Sequence, residues 1–68
     1  MAFLLINGEK KQFDALPENI AELLKHLDID AATVVAELDG QIVQRQDFAK
    51  TKLIDNQKIE LLRFVGGG

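Results

Sequence analysis

The chain has no cysteine, tryptophan or tyrosine, and no serine. Without cysteine it can form no disulfide, bind no metal through thiolate and offer no thiol nucleophile. His26 is its one histidine, so conventional catalytic groups are few and the chain is poorly equipped to be an enzyme by itself. No apolar run approaches the ~20 residues needed to cross a bilayer. Residues 1–6 are apolar, but they lack a basic flank and meet Asn7-Gly8 too early for a signal peptide. A cytoplasmic protein is expected, with no membrane partner. Lysine and arginine total 8 against 11 acidic residues; they are scattered and form no basic stripe, which argues against nucleic acid as a partner. Asp28, Asp30 and Asp39 share no tight metal-ligand spacing and read as a helix end and a turn.

What is present suits one small globular domain. The 68 residues are 47% apolar and 28% charged, with a formal net charge of -3. That is enough for a single core, although a chain of this size buries only about 60% of its unfolded surface.

Residues 2–6 (AFLLI) form a short apolar run that ends at Asn7-Gly8, a favoured type I′ hairpin pair. Residues 9–13 return as a second strand, and residues 14–18, with the only proline, make a connection. Asn19 is a good N-cap with Glu22 three residues on, the pattern of a capping box. Ile20, Leu23, Leu24 and Leu27 follow at i, i+3, i+4 and i+7, one apolar stripe of an amphipathic helix. Residues 28–30 should end it. Residues 34–38 (VVAEL) read as a buried strand, Asp39-Gly40 as a second hairpin turn, and residues 41–43 as its return. Residues 44–51 are polar around Phe48, as a helical turn or an irregular crossing. Asp55-Asn56 turns the chain into a last strand at 58–65.

The order β-β-α-β-β-β, with one helix to cover one sheet face, predicts an α+β fold of the β-grasp (ubiquitin-like) kind. It has a mixed sheet of four to five strands packed on one main helix, with the first and last strands parallel at the centre. Residues 1–65 make the domain, and residues 66–68 a flexible C-terminal tail.

That tail is the strongest functional signal. Gly66, Gly67 and Gly68 carry a terminal carboxylate on a tether without side chains, and no Cβ hinders its passage into a narrow site. Extended, three residues reach about 10 Å. An unstructured chain end has the same composition, so the rest of the sequence has to decide. Asn7-Gly8 after the first strand, the stripe from Ile20 to Leu27, the segment VVAELDGQIV at 34–43 and the terminal Phe64-Val65-Gly66-Gly67-Gly68 together resemble the thiamine-biosynthesis sulfur carrier family (ThiS) over essentially the whole chain. Relatives often read Pro-Arg where this chain has Gln44-Arg45, which concerns the loop more than the terminus.

The resemblance implies a protein co-substrate. A ubiquitin-activating-like adenylyltransferase, using ATP and magnesium, adenylates the carboxylate of Gly68. Sulfur from a protein persulfide donor displaces AMP to leave a thiocarboxylate, and thiazole synthase takes that sulfur into the thiazole of thiamine. Gly68 is then the carrier residue, with Gly66, Gly67, Phe64 and Val65 the partner-binding tail. The chain binds no cofactor tightly and is a monomer when free. Two other readings are open. One is a carrier like the small subunit of molybdopterin synthase; the other is a ubiquitin-like binding module or modifier without sulfur chemistry.

Elsewhere, His26 lies off the apolar stripe and should be at least partly exposed, and Lys10-Lys11 read as a solvated strand pair. Phe3, Leu5, Leu62 and Phe64 have two readings. They form an exposed apolar patch of the kind that marks interfaces, or they close a second small core beneath residues 44–51.

Overall fold

The computed structural model describes residues 1–63. Strand β1 (Ala2–Ile6) turns through Asn7 and Gly8 into β2 (Glu9–Phe13). Asn7 and Gly8 have φ of 52° and 82°, the pair of left-handed conformations that a type I′ turn requires. The second hairpin repeats the device. Asp39 (φ 50°) and Gly40 (φ 86°) join β3 (Val34–Leu38) to β4 (Gln41–Val43). Nothing lies within 4 Å of a Cβ built on either glycine, so backbone conformation selects them and packing does not.

Helix α1 (Ile20–His26) starts where the sequence predicts. The Asn19 side chain accepts from the Glu22 N–H at 2.8 Å. The reciprocal half of the box is replaced: Glu22 turns to Lys25, 3.3 Å away. At the other end Asp28 takes φ 60°. The Asp28 N–H donates to the Lys25 carbonyl (3.1 Å) and the Ile29 N–H to the Leu24 carbonyl (2.8 Å). These are the two bonds of a Schellman motif, with aspartate in place of the usual glycine. A 3-10 turn over Ala31–Thr33, which the sequence did not signal, is capped by Asp30 and leads into β3.

The five strands form one sheet in the order β2-β1-β5-β3-β4, with β5 covering Gln57–Arg63. β1 and β5 are parallel, with Ile6 opposite Ile59; the other neighbours are antiparallel. This is the β-grasp arrangement. Leu4, Ile59, Leu61, Val34 and Ala36 face α1, and with Ile20, Leu23, Leu24 and Phe13 they build the core.

Phe48 settles the reading of residues 44–51. They form a 3-10 turn over Arg45–Lys50, and Phe48 is 2% exposed within the main core. It closes the helix side of the sheet; it is not part of a second core on the far side. The turn is tied to the helix start by an Ile20 N–H bond to the Thr51 carbonyl (3.2 Å) and by the Asn19–Lys52 bridge.

Truncating Phe48 to alanine should therefore behave as a core deletion. Phe48→Ala is expected to cost about 3 kcal/mol or more in urea unfolding. A loss below ~1 kcal/mol would mean that the turn over residues 45–50 is only laid against the core.

Candidate functional site

β5 is the strand that leads to the C-terminus, and its last described residues are held unequally on its two edges. On the β3 side the register continues to Val34 opposite Arg63. On the β1 side strand pairing ends at Ile59. Beyond it, Leu61 is held by a side chain: its N–H donates to Asn7 Oδ1 (2.7 Å) and its carbonyl accepts from Asn7 Nδ2 (3.1 Å). Leu61 itself points into the core, 5% exposed. The root of the C-terminal segment is thus rigid up to Leu61, and residues 62–68 add at most about 25 Å of reach.

The sheet face away from α1 carries no covering element among the described residues. By strand register it presents Phe3 and Leu5 of β1, Val35 and Glu37 of β3, Ile42 of β4, and Lys58, Glu60 and Leu62 of β5. Ile42 is 64% and Leu62 54% exposed, and Val35 sits directly opposite Leu62. The next pair along the same two strands is Glu37 opposite Glu60. Both are half-buried, and among the described residues neither has a cation within ion-pair distance. Together with Asp39, Gly40 and Lys58 they line a shallow depression. An apolar patch beside an acidic pair therefore borders the strand that becomes the tail.

The carrier residue expected from the sequence, Gly68, lies outside the described residues, as do Gly66, Gly67, Phe64 and Val65. Of the patch residues, Leu62 is exposed while Phe3 and Leu5 are half-buried, and the Lys10 ammonium lies 4.3 Å from the centre of the Phe3 ring. So Lys10 is more than a solvated lysine: it shields Phe3. His26 is exposed as expected, with its ring 5.3 Å from that of Phe13. Asp28 and Asp30 cap helical turns, and Asp39 accepts from the Lys58 N–H (3.3 Å) and from Gln57 Nε2 (3.2 Å). Sequence reading missed the Asn7 carboxamide, because an Asn-Gly pair signals a turn and says nothing about where the side chain goes. It also missed Ile42, a short-strand residue whose outward direction follows only from the register with Glu37.

Comparison with known proteins gives a consistent result. A family model described as the ThiS family matches residues 4–68. The chain is 35% identical over 65 residues to a thiazole synthase of Paramagnetospirillum magneticum, covering 96% of this chain but only 20% of that protein. This chain thus spans about one fifth of that relative's length. It is 28% identical over 65 residues to the sulfur carrier protein ThiS of Bacillus subtilis, covering 96% of this chain and 98% of that one. The crystal structure of a thiamine biosynthesis protein (ThiS) from Geobacter metallireducens superposes with a TM-score of 0.83. It is 35% identical and covers 97% of this chain and 99% of the other.

The opposed glutamates allow a test that needs no partner. Like charges directly opposite on neighbouring strands destabilise a sheet. Glu60→Gln should therefore raise the unfolding free energy by about 0.5 kcal/mol at low salt, with the gain shrinking as salt screens the pair. A loss of stability in urea unfolding would show that Glu60 has an attractive partner on this face.

Proposed function

The chain belongs to the ThiS family, and from that premise we propose that it is a sulfur carrier for the thiazole of thiamine, working through a thiocarboxylate at Gly68. The observation that carries this reading is the family match, which runs through the domain and includes the terminal glycines. The likeness of a stretch of this length to part of a thiazole synthase favours the thiazole branch over a molybdopterin-type carrier.

The chemistry follows from what the chain has and lacks. A carboxylate is a poor electrophile until one oxygen becomes a leaving group. In this reading a Gly68 oxygen attacks the α-phosphorus of ATP on a partner adenylyltransferase, with magnesium there, and pyrophosphate departs. The terminal sulfur of a protein persulfide then attacks the acyl carbon and AMP leaves. A thiol splits the resulting acyl disulfide, is itself oxidised to a disulfide, and releases the thiocarboxylate. Thiazole synthase is the acceptor. Glycine at the terminus leaves the acyl carbon open on every side that a side chain would block. No cysteine is present, so sulfur cannot ride on this chain as a persulfide.

Catalysis lies with the partners in this scheme, and the domain supplies recognition and delivery. The open sheet face supports that division. Leu62 is an exposed apolar group on the strand that runs into the tail, and Ile42 of β4 is another on the same face, where a protein that takes the terminus would also meet the sheet. Exposed apolar groups gathered in this way are a common mark of protein interfaces.

Removing Gly67 and Gly68 separates the tail from the fold. The truncated protein should keep its urea midpoint and lose sulfur transfer to thiazole synthase below detection. Transfer that persists in the truncated protein contradicts the carrier role.

A further inference from the structure

Main-chain pairing from the β1 side stops before β5 does. Its last backbone bond runs from the Asn7 N–H to the Ile59 carbonyl (3.0 Å). In a parallel ladder the next two bonds come from the carbonyl of that same residue and from the N–H two positions on, and both meet one residue of the neighbouring strand. On β5 that residue is Leu61. Neither main-chain group can serve, because the chain turns away through positive φ at Asn7 and Gly8.

The Asn7 carboxamide takes both places. Its oxygen accepts from the Leu61 N–H at 2.7 Å and its nitrogen donates to the Leu61 carbonyl at 3.1 Å. A carboxamide has the donor and the acceptor of a peptide group, so the side chain continues the ladder by one step after the backbone has left. This also explains asparagine at the position. Glycine tolerates the same φ but has neither group, and an ionised aspartate tolerates it but can only accept.

We propose that Asn7 is a positioning residue. Its side chain pins the β1 edge of β5 at Leu61, two residues before the Val34–Arg63 pair on the other edge. That sets the direction in which the C-terminal segment runs, and so how Gly68 is presented for activation. The anchoring stands on geometry alone, and its consequence for the reaction rests on the carrier reading. Without the carboxamide, β5 is held beyond Ile59 only by β3, and that stretch becomes a one-sided strand. Freeing two more residues dilutes the terminus by less than about twofold. The larger loss is of a fixed exit direction, since small misplacement of a reacting group is costly.

The test uses Asn7→Gly and Asn7→Asp in the full chain, with two readouts. The first is amide hydrogen exchange. In Asn7→Gly the Leu61 amide should exchange about tenfold faster or more, while Ile59 and the β1–β2 hairpin keep their protection. In Asn7→Asp the ionised carboxylate can still accept from the Leu61 N–H but cannot donate to its carbonyl, so the loss should be smaller than in Asn7→Gly. The second readout is thiocarboxylation by a ubiquitin-activating-like adenylyltransferase from the same organism, with ATP, magnesium and a persulfide donor. Asn7→Gly should lower kcat about threefold or more with KM within about twofold.

Unchanged Leu61 protection in Asn7→Gly overturns the anchoring. Lost protection with wild-type kcat overturns the positioning role. If the wild-type chain is not thiocarboxylated, the carrier reading falls and the reaction role falls with it, while the exchange data still decide whether Asn7 is the anchor.

Discussion

The parallel pairing of β1 with β5 is the contact on which the rest of this fold depends. It joins the first strand of the chain to the last, so everything between them has to form one long crossover. Leu4 and Ile59, both wholly buried, lie on these two strands. The helix covers them and β3 extends the sheet from β5 outwards. Closing such a pairing carries a large loop-entropy cost, since its partners are far apart in sequence. Side chains at the turns secure it. Asn7 reaches Leu61 from one side, Asp39 reaches the Lys58 N–H from the other, and Asp55 accepts from the Phe3 N–H at the start of β1 (2.9 Å). Each sits in a turn that the sequence marks for a different reason.

That double use explains what could be read in advance. The two hairpins were legible because Asn-Gly and Asp-Gly are local codes for left-handed backbone pairs. The helix was legible because four aliphatics at 3.6-residue spacing admit one arrangement, and its cap because Asn19 needs only its own neighbours. Parallel closure of the sheet followed from the order of elements. Phe48 was ambiguous, since an aromatic in a polar stretch can pack on either side of a sheet and only the path of residues 44–51 decides. The turn over Ala31–Thr33 has no periodicity to reveal it. The Asn7 contact joins residues 54 positions apart, and no local pattern encodes that.

The candidate site divides in the same way. Its proposed reacting group, Gly68, rests on the sequence and the family match, since it lies outside the described residues. The surface around it was legible only as an unresolved choice for Phe3, Leu5 and Leu62. Strand register turned that choice into an apolar patch at Leu62, Val35 and Ile42, with Glu37 and Glu60 side by side next to it. A sheet tuned for stability alone would not set two half-buried carboxylates directly opposite each other. Their placement beside the root of the tail fits a face shaped for contact as well as for folding.

The carrier account is tested most directly by mass spectrometry of the chain after reaction with ATP, magnesium, a persulfide donor and the adenylating enzyme. Intact mass is a poor guide, because replacing oxygen by sulfur is nearly isobaric with oxidation of Met1. Trypsin cleaves after Arg63 and releases residues 64–68, which contain no methionine. The account predicts a sulfur-for-oxygen shift confined to that peptide. An unmodified peptide, with AMP formation by the enzyme demonstrated in the same tube, would contradict it.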